Sequence, residues 1–241
     1  MDPRTAAVSE RLSGVSRVAA VAGSKGGIGK SVVATTMALA LAGRGRSVGL
    51  FDLDFTSPSA HVILGTRAGF PAEEFGIEPH EAAGIRVMSV AFLLGDSPAP
   101  LRGVDATNAL LELLAITNWG DLDVLVLDMP PGLGDTSLDV IRLIPRLEFV
   151  LVGTSSRLVI SSVERAAALL RELRVPVAGI VENMSRSGGD GVEALAGRHG
   201  FPFLGSVPFD PALEEAVGDV GRLREGAVFG AVDGVVARLG W

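Results

Sequence analysis

"RVAAVAGSKGGIGKSVVATTMALALAGRG", residues 17–45, decides the fold. After Arg17 its opening is wholly apolar and predicts a strand over 17–22. Residues 31–45 predict a helix that ends near Gly43 and Gly45. Between them runs the glycine-rich turn "GSKGGIGKS". A strand, such a turn and a helix, in that order, is the setting in which a loop cradles phosphates. Glycines remove the side chains that would hold the backbone away from an anion, and successive N–H groups point inward. The helix N-terminus adds a favourable partial charge. Ser24, Gly26, Gly27, Ile28, Gly29, Lys30, Ser31 and Val32 are the expected cradle. Lys30 would reach the β- and γ-phosphates, and Ser31 would offer its hydroxyl to Mg²⁺.

Outward from this stretch, apolar runs predict further strands at 47–54, 84–92, 123–130, 148–154, 176–183 and 203–208. Helical patterns lie between them, the plainest at 106–119. The strands are apolar almost throughout, as when both faces are covered. Strand–helix alternation over the whole chain predicts an α/β fold: a mostly parallel twisted sheet with helices on both faces. Residues 1–241 are expected to form one domain, with 1–14 an N-terminal extension and 222–241 a C-terminal helix. Residues 66–83 and 93–103 fit no element and read as surface loops or a lid.

In such sheets ligands sit beyond the carboxyl ends of the strands. After the second strand, "FDLDFTSPS" places Asp52 and Asp54 two apart, on one face of an extended segment. Carboxylates near a P-loop hold the waters of Mg²⁺ or orient the attacking water. Asp52 is assigned to the Mg²⁺ shell and Asp54 to the attacking water. Asp128, ending the run "DVLVLD", is a further carboxylate for the metal's water shell. Pro130–Pro131–Gly132 makes a stiff turn whose Gly132 N–H would meet the γ-phosphate and sense ATP against ADP. Asp135 reads as a switch residue or as the N-cap of the next helix. Asn183, at the end of "PVAGIVEN", would read the adenine edge with its paired donor and acceptor. Pro208, in "SVPFDP", would lie against the ring.

Composition narrows the function. The chain carries 21 Lys and Arg, 28 Asp and Glu, and a net charge of −7. That speaks against a dedicated nucleic-acid coat. There is no cysteine, so disulfides, thiolate metal sites and a self-held iron–sulfur cluster are excluded within this chain. His61, His80 and His199 are far apart in sequence. No apolar run approaches the ~18 residues of a membrane span. The N-terminus, with Asp2, Arg4, Glu10 and Arg11, does not read as a signal peptide. A cytoplasmic protein is the expectation.

The strict pattern G-x-x-x-x-G-K-[ST] asks for Gly where this chain has Ser24. The variant K-G-G-x-G-K-[ST] fits, with Lys25 as a second lysine. This resembles the deviant P-loop family of MinD, ParA, the nitrogenase iron protein and Mrp. "DMPPGLGD", "VENMS" and "PFLGSVPFDP", from 128 to 211, are similar to the Mrp branch in order and spacing, and the resemblance runs from about Leu12 to Pro211. It implies an ATP-binding homodimer, with nucleotide at the interface, linked to iron–sulfur cluster carrying or assembly. It also implies that Lys25 crosses the interface to the partner's nucleotide, so the catalytic set is Lys25, Lys30 and Asp54. Lys25 and Lys30 are the only lysines, and every other basic residue is Arg. A compact ammonium fits among glycines where a planar guanidinium does not. Mrp proteins often carry C-x-x-C after the position of Ser185, where this chain reads "RSGGDGVEAL". The family's Asp near Ser162 is also absent, which leaves Glu164 as the substitute partner for Lys25. Two other readings stand beside the Mrp-like ATPase with an unidentified protein client. One is a MinD- or ParA-like positioning ATPase acting on membrane, DNA or protein cargo. The other is a nucleotide-sensing scaffold with negligible turnover.

Overall fold

Strand β1 (Val15–Gly23) lies near the middle of the sheet and runs directly into the glycine-rich turn. The computed structural model describes residues 3–66, 69–94, 104–144, 146–186 and 190–241. Helix α1 (Pro3–Arg11) precedes β1, and α2 (Lys30–Gly43), β2 (Val48–Asp52) and α3 (Ala60–Ile63) follow it. Then come β3 (His80–Ala82), β4 (Ile85–Ser89), α4 (Ala91–Leu94), α5 (Val104–Ile116), β5 (Leu122–Asp128) and α6 (Asp135–Leu143). The last part holds β6 (Leu147–Gly153), α7 (Arg157–Glu172), β7 (Val177–Ser185), α8 (Gly191–His199) and β8 (Phe203–Pro208). Helices α9 (Leu213–Ala216), α10 (Val220–Glu225) and α11 (Ala227–Leu239) close the described chain.

These strands form one eight-stranded sheet in the order β3-β4-β2-β5-β1-β6-β7-β8. All pairs are parallel except the edge pair of β3 with β4. The parallel strands are buried on both faces because helices cover both, which is why they read as unbroken apolar runs. Gly49 shows how tight the packing is: a Cβ there would come within 2.9 Å of Leu122, Leu125 and Trp119. At the tail, Val228, Val232, Val235 and Val236 of α11 are buried against α2 and β8.

Several boundaries differ from the sequence expectation. The second strand stops at Asp52 because its own carboxylate accepts the Asp54 N–H at 3.1 Å and turns the chain. The helix expected at 106–119 ends at Ile116, because the Ile116 carbonyl accepts the Ile77 N–H and the Asn118 N–H donates to the Ile77 carbonyl, a short parallel bridge that pairs Thr117 with Ile77. The segment 66–83 is not all loop: Glu73 and Ile77 form a bridge and His80–Ala82 form an edge strand. In 93–103, Leu93 and Leu94 end a short helix, and 95–103 lie outside the described residues.

Register decides what the sheet presents. Asp52 on β2 stands opposite Asp128 on β5, and Val21 of β1 also pairs Asp128. The carboxyl ends of the three central strands therefore bring two aspartates and the glycine-rich turn together.

Candidate functional site

The turn from Gly23 to Gly29 is built for close approach. Gly27 and Gly29 have φ of 76° and 75°, a region that glycine enters without a Cβ penalty. Gly29, at the cap of α2, gives no side-chain hydrogen bond, which leaves the first-turn N–H groups for an anion.

Lys30 opens α2 and is only 6% exposed. Its Nζ donates to Asp128 Oδ1 at 3.0 Å. Asp128 is fully buried, and its Oδ2 has no hydrogen-bond partner. Burial pushes the Asp128 carboxyl above the usual range, while the Lys30 charge and the hydroxyl of Ser31 hold it down. Ser24 Oγ is likewise buried without a partner. Two buried polar atoms, one in the glycine-rich turn and one on the carboxylate that Lys30 bonds, thus have unused capacity.

The two aspartates after β2 play different parts. Asp52 is fully buried, and its Oδ2 accepts the N–H groups of Ser59 and Ala60 at 2.9 and 3.0 Å. Burial first, and the Asp128 charge second, push it up to about 7, against the pull of its three backbone bonds. Asp54 Oδ1 accepts the Thr56 hydroxyl at 2.6 Å and the N–H groups of Thr56 and Ser57, both at 3.2 Å. That turn leaves Asp54 Oδ2 without a hydrogen bond among the described residues.

A cleft of about 410 Å³ opens over the turn. Lys25, Gly26, Gly27, Gly29, Lys30, Ser31, Val32 and Asp54 line it, so much of the expected set meets in one place. Its far wall, unforeseen in the sequence, is Val62 and Ile63 on one side and Val217 on the other. Lys25 is exposed at the lip and makes no ion pair with a described residue.

The remaining expected residues stand behind this surface. Asp52 does not line the cleft; it faces Asp128 and holds the start of α3. Ser24 and Ile28 belong to the turn but lie behind its exposed face. Gly132, expected to point its N–H at a phosphate, donates it to the Gly23 carbonyl at 2.8 Å. Asn183 does not line the cleft either; its Nδ2 donates to Ile28 O at 2.8 Å and fills the space where a Cβ of Gly29 would be. Pro208 is half-buried at the end of β8, paired with Ser185. The N-cap of α6 is Gly134, which leaves Asp135 in the first turn. Glu164 is no partner for Lys25: its carboxylate accepts Arg198 at 3.1 Å. Ser162 Oγ accepts Arg165 at 3.0 Å. A second cavity of about 230 Å³ lies between α2 and the segment 210–229, lined by Thr36, Asp210, Leu213 and Phe229 among others.

Residues 14–226 match the family model of the ParA type described as the NUBPL iron-transfer P-loop NTPase. The chain belongs to that family. It is 38% identical over 220 residues to an iron–sulfur cluster carrier protein of Pseudomonas fragi, covering 85% of this chain and 77% of the relative. A nucleotide-binding protein of Archaeoglobus fulgidus, solved with ADP, superposes with a TM-score of 0.78 at 31% identity, over 92% of this chain and 93% of that one. The cell-division ATPase MinD of Pyrococcus furiosus has a TM-score of 0.68 at 19% identity, over 93% and 98%, a likeness of fold. No helix among the described residues is long and apolar enough to cross a membrane.

Proposed function

We propose that this chain is a Mg²⁺-dependent ATPase that acts as a nucleotide-switched homodimer in iron–sulfur cluster carrying or assembly. The buried Lys30–Asp128 pair beneath the glycine-rich turn carries the reading. An ammonium and a carboxylate are costly to bury unless both are used, and Asp128 keeps one oxygen in reserve.

ATP would lie along the turn with its phosphates over the N-terminus of α2. Lys30 would neutralise the β- and γ-phosphates. Ser31 and Asp128 would hold Mg²⁺ and its waters, and bound there the ion would neutralise charge between those phosphates. That donor set fits a metal that takes its other ligands from phosphate; among the described residues no three His, Asp or Glu form a site of their own. Asp54, on the cleft wall with one oxygen uncommitted, would orient the attacking water. Asp52 would act behind it, holding Asp128 and the start of α3 in place. Asn183 would hold Ile28 and Gly29 in shape while its remaining amide oxygen and Pro208 face the base. Gly132 would exchange its bond to Gly23 for one to the γ-phosphate, which makes the 130–132 turn a switch. Lys25 would serve the nucleotide of the second subunit.

With no cysteine, the chain offers no soft thiolate to iron, so the cluster would be cargo held by a protein client. The positioning-ATPase reading would need a surface anchor, and the apolar face of α11 is already spent on α2 and β8.

Steady-state phosphate release with and without Mg²⁺, together with light scattering in ATP and ADP, tests the proposal. Mg²⁺-dependent turnover and an ATP-dependent dimer are expected. Tight ATP binding with no turnover would favour the scaffold reading. Anaerobic reconstitution with iron and sulfide is expected to leave the chain without charge-transfer absorbance, and a stoichiometric cluster would refute the cargo assignment.

A further inference from the structure

At the amino ends of the strands, far from the cleft, residues 72–76 form a tip of unusual build. Phe75 is 91% exposed. Its φ is +54°, a region that L residues other than Asn and Asp rarely enter. Ala72, Glu73 and Glu74 beside it are exposed too.

The tip is not a slack loop. Glu74 N–H donates to Gly76 O at 3.0 Å, and Glu78 N–H to Ala72 O at 2.9 Å. Ile77 N–H donates to Ile116 O, and Asn118 N–H to Ile77 O, both at 2.8 Å. The Asn118 amide donates to Glu74 O at 3.0 Å and to Glu78 Oε1 at 2.6 Å. The Arg11 guanidinium donates to the Phe75 carbonyl and to the Asn118 side chain. Gly76, at φ +144°, lies so close to Ile116 O that a Cβ would sit 2.4 Å from it. Three segments of chain, from α1, from 69–78 and from the end of α5, thus hold one aromatic ring out in water. Folding alone does not favour that arrangement. Strain held by surrounding structure points to use.

We propose that this tip docks into a protein partner that offers an apolar pocket rimmed by Arg or Lys. A rigid aromatic ring with little entropy to lose is the usual anchor of such contacts. Ile116, part-exposed beside the tip, extends the apolar surface, and Glu112 lies one turn before it on α5. Arg11 spends its guanidinium on the Phe75 and Ala115 carbonyls and the Asn118 side chain, while the Glu73 and Glu74 beside the ring are exposed, so the pocket that suits the tip has a basic rim. The same carboxylates disfavour other occupants. An anionic lipid surface and nucleic-acid phosphates would repel them. Two tips from two copies of this chain would set like charges face to face.

The test places p-benzoylphenylalanine at position 75 of the full chain in its native host, with the exposed Leu173 as the control position. The expected adduct joins Phe75 to another protein at an apolar site flanked by Arg or Lys. With that protein purified, Phe75→Ala should weaken binding roughly ten-fold or more. Glu73→Lys with Glu74→Lys should weaken it and flatten its salt dependence. ATP turnover should be unchanged in both variants. Phe75→Gly, free at positive φ, should raise Tm while losing the partner. The proposal is overturned by labelling no stronger than at Leu173, by an adduct to a second copy or to lipid, or by a site with an acidic rim. Equal binding by Phe75→Ala, or a lowered Tm in Phe75→Gly, would also overturn it, the last because the ring would then serve the fold.

Discussion

The two ends of the sheet are finished in opposite ways. At the carboxyl ends, polar atoms are buried with capacity left over: Asp128 Oδ2 and Ser24 Oγ have no partner beneath a glycine turn. At the amino ends, the Arg11, Asn118 and Glu78 side chains are bonded to their neighbours; the buried Trp119 Nε1 also lacks a partner there, but the group turned to water is an apolar one, Phe75. Unspent hydrogen-bonding capacity inside a fold invites a small polar ligand. Unspent apolar surface outside invites a macromolecule. The comparison therefore separates chemistry from docking along one molecular axis, and substitutions at the two ends should differ in kind.

The largest effect is expected for Lys30→Ala. Removing the ammonium takes away the charge at the phosphates and leaves Asp128 buried and unpaired. ATP affinity, read by titration with a fluorescent ATP analogue, should be lost, and stability should fall by ~3–5 kcal/mol. Near-normal affinity in a folded variant would break the phosphate reading of this end. Lys25→Arg should spare binding yet lower turnover by ~10³–10⁵, the range that a charge supplied in trans commands in phosphoryl transfer. Wild-type phosphate release would show that charge alone suffices there. Asp54→Ala should bind ATP and hydrolyse it ~10²–10⁴ times more slowly. If instead only Asp52→Ala is inactive, the two carboxylates exchange roles.

Asp52 gives the comparison a pH axis. Its carboxyl titrates at about 7 in the fold, against ~3.9 in an unfolded chain. The native state thus holds more protons between those values, and its stability falls as pH rises through them. The contribution is fully present below the unfolded value and is lost by the folded one. Urea titrations of the nucleotide-free protein from pH 5 to 8 should show this decline, at most ~1.4 kcal/mol per pH unit. Asp52→Asn should flatten it. An unchanged slope would place the titration elsewhere. The smallest effect belongs to the other end. Asn118→Ala frees the Glu74 carbonyl and the Glu78 carboxylate, both open to water, and should cost ~0.5–1.5 kcal/mol by the same assay, with turnover unchanged. A loss of ATPase there would mean that the two ends are coupled.

Much of the cleft end was legible in the sequence because its elements announce themselves locally. The seven parallel strands are continuous apolar runs, and Lys30, Ser31 and Asp54 lie in short motifs directly after strands. What escaped depends on contacts between distant residues. His80–Ala82 is a three-residue edge strand whose half-exposed side chains carry no period to detect. Val62, Ile63 and Val217 form one wall only because two segments more than 150 residues apart converge. Glu164 looked free for Lys25, yet Arg198 of the next helix reaches it first. Asn183 was legible as a residue at a strand end, but its bond to Ile28 crosses from β7 past β6 to the glycine turn. At the tip, Gly76, Arg11 and Asn118 look unremarkable in sequence, since their work is joint.

The cleft's far wall, lined by Val62, Ile63 and Val217, also joins its two segments backbone to backbone. Gly218 N–H donates to Ile63 O at 3.1 Å, and a Cβ on Gly65 would lie 2.1 Å from Gly218 O. One amide proton bridges the two segments. Whenever α3 and the α9–α10 link part, that proton meets solvent. Its deuterium uptake is therefore a clock for the opening of the cleft, readable at a single residue and without touching any group that meets the nucleotide.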